Sequence, residues 1–127
     1  MESILRIAIG DLGRRQINQL SQKMEARGLN LWDYLARSIL SNADYNNFYN
    51  LLVTKQKGVT SSQIFVEFLH TTLPETPLDH IISFCRISRQ HDVAKTLREI
   101  EQQIIYDHPQ VSFLVVDEIN TVFTVFV

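Results

Sequence analysis

The feature that most constrains this chain is a short segment around its single tryptophan, Trp32. Asn30 is a residue type that often caps helix N-termini, and the Asp33 carboxylate lies where it can meet the free N–H groups of the first turn. From Trp32 onward, apolar residues recur at the spacing that lines one helix face. The segment therefore predicts a short helix that anchors the core of a small bundle.

Five further segments with the same pattern surround the tryptophan segment, and most carry signals of a helix start or end. We expect the first helix to begin near Gly10 and Asp11 and to end at Gly28, since glycine commonly follows the last helical residue. Thr76 as the cap and Pro77 as the first helical residue predict the start of the fifth helix.

Two further helix starts are marked by capping boxes. Ser41 with Asp44, and Thr60 with Gln63, each place a hydroxyl at the cap and a polar side chain three residues later. They predict the starts of the third and fourth helices. The third helix carries several asparagines, which lower its intrinsic helix propensity.

Six short helical segments joined by short links predict a mainly α chain that folds as a six-helix antiparallel bundle. The length of 127 residues indicates one principal domain, which we place at residues 1–108. The apolar spacing along the segments predicts a set of core side chains. These are Leu20, Trp32, Leu35, Phe65, Phe68, Ile82 and Leu97.

The pattern changes after Pro109. Residues 111–116 and 121–127 are rich in Val, Phe, Thr and Ile, which is typical of extended structure. We therefore predict a C-terminal tail, residues 109–127, that forms a β-hairpin or two extended segments. A lone hairpin is marginal in water, so we expect the tail to pack on the bundle or to pair with another chain.

The amino-acid composition limits the classes of partner that the chain is expected to bind. Twelve Lys and Arg against fourteen Asp and Glu give a formal charge of −2, whereas a nucleic-acid-binding surface is normally basic. No run of about 20 apolar residues is present, so we expect no membrane insertion. A single cysteine allows no internal disulfide. These features predict a cytoplasmic protein that does not bind nucleic acid.

Catalytic and cofactor patterns are missing from the sequence. The four histidines do not have the spacing of metal ligands, and no glycine-rich phosphate loop or nucleophile elbow occurs. Cys85 lies on the apolar face of its helix, which favours a buried structural thiol over a reactive thiolate. Asp117 and Glu118 read as solvated turn residues. We therefore predict no catalytic residue, no metal and no cofactor.

The charged side chains of the bundle have two interpretations. One is a mixed surface that keeps the protein soluble. The other is that separated basic and acidic faces let copies dock head-to-tail, since such a contact propagates when its rotation does not close. On the second interpretation the basic partner-binding residues are Arg14, Arg15, Lys23, Arg27, Lys55 and Lys57, and the acidic ones are Asp44, Glu67, Glu75 and Asp79.

Three parts of the chain resemble a known family. Residues 14–20 followed by 31–36, with the Trp-x-x-Leu-Ala pattern, resemble the first two helices of a death domain. Residues 56–69 are similar to the third-to-fourth helix region of the Pelle-type, interleukin-1-receptor-associated kinases of Toll and interleukin-1 signalling. Residues 76–97 resemble the last two helices of that domain.

The resemblance extends over residues 9–104 and has two departures. Phe68-Leu69-His70 lacks the second aromatic residue that many death domains carry near the end of the fourth helix, and the tail is no part of that fold. The resemblance implies a death-domain-like Greek key. It also implies a non-enzymatic signalling adaptor that binds other death domains, homotypically or heterotypically, in a cytosolic oligomer of innate-immune or cytokine signalling.

A structural dimerisation module is the alternative interpretation. In that case the tail would pair between chains and the helices would serve as a scaffold, because residues 121–127 are β-prone, uncharged and free of proline. Deleting the residues after Pro109 would distinguish the function of the tail from that of the bundle. A chain that associates through its tail would lose its dimer, whereas partner binding through the bundle would be retained.

Overall fold

The structure is a computed structural model that describes residues 7–26 and 30–107. These residues form six α-helices, which confirms the predicted mainly helical six-helix bundle. One turn of 3-10 helix at Ile9–Asp11 precedes them. The helices are α1 (Arg14–Ala26), α2 (Leu31–Ile39), α3 (Asn42–Val53), α4 (Ser61–Thr72), α5 (Leu78–Ile87) and α6 (His91–Asp107).

Helix α4 lies at the centre of the packing. It contacts α1, α2, α3 and the 3-10 turn, while α6 packs on α1 and α5. The core between them is continuous and apolar. Helix α3 packs mainly on α4 and has one fully buried side chain, Phe48, so it is the least embedded of the described helices. Phe48 was not among the predicted core residues, of which Leu20, Leu35, Phe65, Phe68, Ile82 and Leu97 are buried.

Trp32 is the exception among the predicted core residues, because it is only partly buried. The buried face of α2 is formed by Leu31, Leu35 and Ala36, which places Trp32 at its edge. The aromatic centre is Phe48, whose ring lies 5.9 Å from that of Trp32. The tryptophan therefore covers the core from the rim rather than filling it.

Phe48 joins three helices through its ring contacts. Its centroid lies 5.6 Å from that of Phe65 and 5.8 Å from that of Phe68, both on α4. The Phe65 contact is edge-to-face, a geometry that aromatic pairs prefer. Trp32 adds α2 to the same cluster. Phe48 is thus the main apolar contact of α3 with the rest of the bundle, with Tyr45 and Leu52 packed at the edge of the core.

Ser41 and Thr60 cap their helices as predicted, through the hydrogen bond that each hydroxyl accepts from the backbone N–H three residues later. The Ser41 hydroxyl accepts a hydrogen bond from the Asp44 backbone N–H at 3.1 Å, and its own O–H donates to the Asp44 carboxylate at 3.1 Å. The Thr60 hydroxyl accepts from the Gln63 backbone N–H at 3.0 Å. Local sequence is sufficient here because both partners lie within one helical turn.

Two predicted helix starts, those of the first and fifth helices, are wrong, and the second helix begins at Leu31 after Asn30 as predicted but without the predicted side-chain cap. Asn30 adopts a left-handed conformation with φ of 49°, and its side chain caps no N–H group. The first helix starts at Arg14, since the backbone from Ile9 makes a 3-10 turn and then extends. The fifth starts at Leu78, with Pro77 in the cap position, and the Thr76 hydroxyl instead donates to a carbonyl of the preceding loop.

The reason for the later starts is a backbone pairing between residues 7–10, which we call the N-terminal strap, and the α4–α5 loop. Ile9 N–H donates to Thr76 C=O at 2.9 Å, and Gly10 N–H donates to Pro74 C=O at 2.8 Å. Leu78 N–H donates back to Ile7 C=O at 2.9 Å. The strap holds the start of α1 beside the end of α4.

Several predicted features lie outside the described residues: Arg27, Gly28 and the tail at residues 109–127. The described helices end at Asp107, one residue before the predicted domain boundary. Among the described helices, none has both the length and the apolar composition needed to cross a membrane.

Candidate protein-interaction surfaces

The start of α4 carries a group of cations that we call the basic end. It consists of Lys55 and Lys57 in the α3–α4 loop, both exposed, while Lys23 is exposed in the last turn of α1. The Lys55 ammonium donates to the Val59 carbonyl at 2.8 Å and retains two further N–H donors. Lys23 and Lys57 form no ion pair with any residue that the structure describes.

The end of α1 packs beside the start of α4 and brings the Glu25 carboxylate there. The Ser62 hydroxyl, in the first turn of α4, donates to the Glu25 carboxylate in the last turn of α1 at 2.8 Å. A shallow groove at the same place is lined by Glu25, Thr60 and Gln63, among others. The end of α1 therefore lies beside the start of α4.

The opposite end of α4 carries exposed carboxylates, and we call Asp11 and Glu75 the acidic end. Both line one groove with Pro74 between the 3-10 turn and the α4–α5 loop. Asp11 accepts a hydrogen bond from Ala8 N–H at 2.9 Å, and Glu75 has no ion pair within the described ranges. Since α4 has 12 residues, about 16 Å of helix separates the two ends.

Several predicted partner-binding residues are instead paired within the chain. Arg14 forms a two-pronged ion pair with Glu67 across α1 and α4, and the hydrogen bond to that carboxylate raises the pKa of the guanidinium, with charge attraction adding to it. Asp79 accepts from Arg98 of α6 at 2.9 Å. Asp44 serves the cap of α3. These groups hold the bundle together and are less free to meet a partner.

Arg15 remains exposed and forms no ion pair with the described part of the chain. It follows Arg14 at the start of α1, so it lies toward the acidic end and reduces the net negative charge there. The predicted residues that form neither an ion pair nor a side-chain hydrogen bond with the described part of the chain are Arg15, Lys23, Lys57 and Glu75.

The junction of α2 and α3 is a polar cluster that sequence reasoning missed. Arg37 donates from Nε to both Asp33 oxygens at 3.1 Å, and its guanidinium lies 5.2 Å from the centroid of the Tyr45 ring. The Tyr45 hydroxyl donates to Asp33 at 3.2 Å. The pKa of Tyr45 is raised, mainly because its hydroxyl is partly buried and also because it donates this hydrogen bond. The Asp33–Arg37 spacing of four residues was the available signal.

Two exposed apolar side chains were also missed. Tyr106 is 80% exposed and Ile87 is 69% exposed. Both fall outside the apolar stripe of their helices, which the buried residues Ile82 and Ile104 mark. An apolar residue off the core stripe was therefore the signal that could have found them.

Groups that could carry chemistry are dispersed. Among the residues that the structure describes, no three His, Cys, Asp or Glu side chains come together as metal ligands would. His70 is engaged with a backbone carbonyl, since its Nε2 lies 3.1 Å from the Leu12 oxygen. Cys85 is fully buried, and burial raises the pKa of its thiol to about 12.

Cys85 should react with a thiol reagent only when the bundle opens. At neutral pH the thiol is protonated and sealed from solvent, whereas the thiolate is the reactive form. Native protein at pH 7.5 is therefore expected to label with iodoacetamide at least about 100-fold more slowly than protein unfolded in guanidinium, as followed by intact mass. Equal labelling rates in the two conditions would contradict the buried placement.

The molecule is a six-helix bundle with opposite charges at the two ends of α4. Comparisons of the chain with models of protein families, with curated proteins and with solved structures find no match. Its function is therefore inferred from the surfaces described above.

Proposed function

We propose that this chain is a non-enzymatic cytoplasmic signalling adaptor whose death-domain-like bundle binds other death domains and assembles an oligomeric complex. The observation that supports the proposal is the opposite charge at the two ends of α4. Lys55 and Lys57 stand at one end and Glu75 at the other, and all three are exposed. Surfaces of opposite sign on one molecule favour a head-to-tail contact between copies.

The expected contact places the basic end of one copy on the acidic end of the next. Because the two ends lie on different parts of the surface, each added copy exposes a new unfilled end. The contact therefore propagates unless its rotation closes a ring. Effectors held by neighbouring copies would be concentrated locally, which raises their effective concentration without new chemistry.

Heterotypic binding would use the same chemistry. A different death domain with an acidic patch would dock on the basic end, and one with a basic patch on the acidic end. The formal charge of −2 is small, so general repulsion between copies is weak and the local patches decide orientation.

Reversing either end should abolish self-association. We expect the paired change Lys55→Glu with Lys57→Glu, and separately Glu75→Lys, to leave a monomer at concentrations where the native chain is oligomeric, because each contact then brings like charges together. Size-exclusion chromatography with light scattering measures this. Association of the native chain should also weaken as salt rises, since the charges are exposed.

Asn47→Glu is the control, because Asn47 is an exposed residue on α3 outside both ends and the substitution adds the same negative charge. It should self-associate as the native chain does, and all variants should keep the native helical circular dichroism. Reversed variants that associate as strongly as the control would contradict the proposed docking.

A further inference from the structure

The two most exposed large apolar side chains in the described residues lie far apart on the α5–α6 pair. Ile87 is the last residue of α5, and Tyr106 lies in the last turn of α6, which has 17 residues. About 22 Å of helix separates the start of α6 from Tyr106. Neither side chain can therefore cover the other within one molecule.

Ile87 is flanked by free cations. Arg86 and Arg89 are exposed and form no ion pair with the part of the chain that the structure describes. Asp92, in the first turn of α6, is the carboxylate that follows them in the chain. Because two arginines and one carboxylate lie here, the formal charge where α5 meets α6 is positive. We call Arg86, Ile87 and Arg89 the α5–α6 corner.

Tyr106 has the opposite surroundings. The last turn of α6 contains no basic residue, Asp107 follows Tyr106 directly, and the C-terminal end of a helix carries partial negative charge. The Asp107 carboxylate accepts from the Gln103 side chain at 3.0 Å and remains exposed. A shallow groove runs from Tyr106 along Glu99 to Lys95. We call Glu99, Tyr106 and Asp107 the α6 terminus.

We propose that the α5–α6 corner of one copy binds the α6 terminus of a second copy. Ile87 would pack on the Tyr106 ring, while the arginines meet Glu99 and Asp107. Each of the two exposed apolar side chains is bordered by charge that is complementary to the charge beside the other, which favours a contact between them. The inference rests on the proposed self-assembly and adds a second contact, away from the ends of α4, which strengthens that assembly but is too weak to hold two copies together by itself.

The test is sedimentation velocity of the full chain over a concentration series. Ile87→Ser and Tyr106→Ala should each weaken self-association at least about tenfold, as truncation of a central apolar contact does. Tyr49→Ala is the control, since Tyr49 is 52% exposed on α3, outside both surfaces and farther than Val53 from the basic end. It should associate as the native chain does. Because all three sites are exposed, the helical circular dichroism should not change.

A charge exchange tests the pairing itself. Arg89→Asp and Asp107→Arg should each associate less than the native chain, and an equimolar mixture should recover association because every contact in it again joins opposite charges. A native chain that associates while Ile87→Ser and Tyr106→Ala do so equally well would overturn this contact and leave the docking through the ends of α4 intact. A native chain that stays monomeric throughout would overturn both.

Discussion

Replacing Phe48 with alanine should lower the free energy of unfolding by about 3–5 kcal/mol, the cost of removing a buried aromatic side chain. The ring is fully buried and contacts Trp32, Phe65 and Phe68 on two other helices. Its loss leaves a cavity where α3 meets the bundle, and α3 has no other fully buried side chain to hold it. Urea unfolding followed by circular dichroism measures the change.

Tyr49→Ala is the neighbouring control, since Tyr49 is 52% exposed on the same helix. It should change stability by less than about 0.5 kcal/mol, as surface substitutions do. Trp32→Ala should fall between the two because its ring is only partly buried. If Trp32→Ala cost more than Phe48→Ala, the assignment of Phe48 as the aromatic centre would be wrong.

Gly10→Ala should destabilise the protein by about 1–3 kcal/mol, the usual cost of forcing extra volume into a packed site. A Cβ at Gly10 would lie 2.7 Å from Pro74 Cβ and 2.8 Å from the Pro74 carbonyl oxygen. Neither atom can move freely, because the Gly10 N–H donates to that same carbonyl. The strap would have to separate from the α4–α5 loop.

Gly13→Ala serves as the comparison, since its added Cβ would meet nothing closer than the Gln16 side-chain oxygen at 3.7 Å. It should leave the thermal unfolding midpoint nearly unchanged, while Gly10→Ala lowers it. Equal midpoints for the two variants would show that the strap does not press against Pro74.

Local features of the fold could be read from the sequence. The Ser41 and Thr60 caps are confirmed because their partners are three residues away. The strap could not be read, since Gly10 and Pro74 meet only after the chain has folded. The strap also explains why the predicted starts of α1 and α5 were wrong. Its backbone pairing occupies residues that local preferences would place in a helix.

The aromatic centre shows a different limit. Trp32 and Leu31 are neighbours in sequence, but about 100° of helix rotation separates them, and Leu31 faces the core. The apolar pattern of α2 is compatible with either Leu31 or Trp32 as the first residue of the buried face. Phe48 lies in an asparagine-rich helix whose pattern was weak. Only its four ring contacts reveal its position.

The residues of the interaction surfaces also differ in how well the sequence alone could predict them. Residue type alone suggested which charges could meet a partner, but Arg14 and Glu67 are 53 residues apart, and their pairing depends on how α1 packs on α4. The exposure of Ile87 and Tyr106 could be predicted without knowing how the helices pack. Both stand outside the apolar stripe of their helices, and that pattern is visible in the sequence.

The most direct test of the proposed assembly is a mixing measurement. The chain with Lys55→Glu and Lys57→Glu carries acidic charge at both ends of α4, and the Glu75→Lys chain carries basic charge at both. Each alone should be monomeric by light scattering, and an equimolar mixture should regain the mass of the native oligomer, because every contact then joins opposite charges. A mixture that stays monomeric while the native chain assembles would contradict head-to-tail docking through the ends of α4.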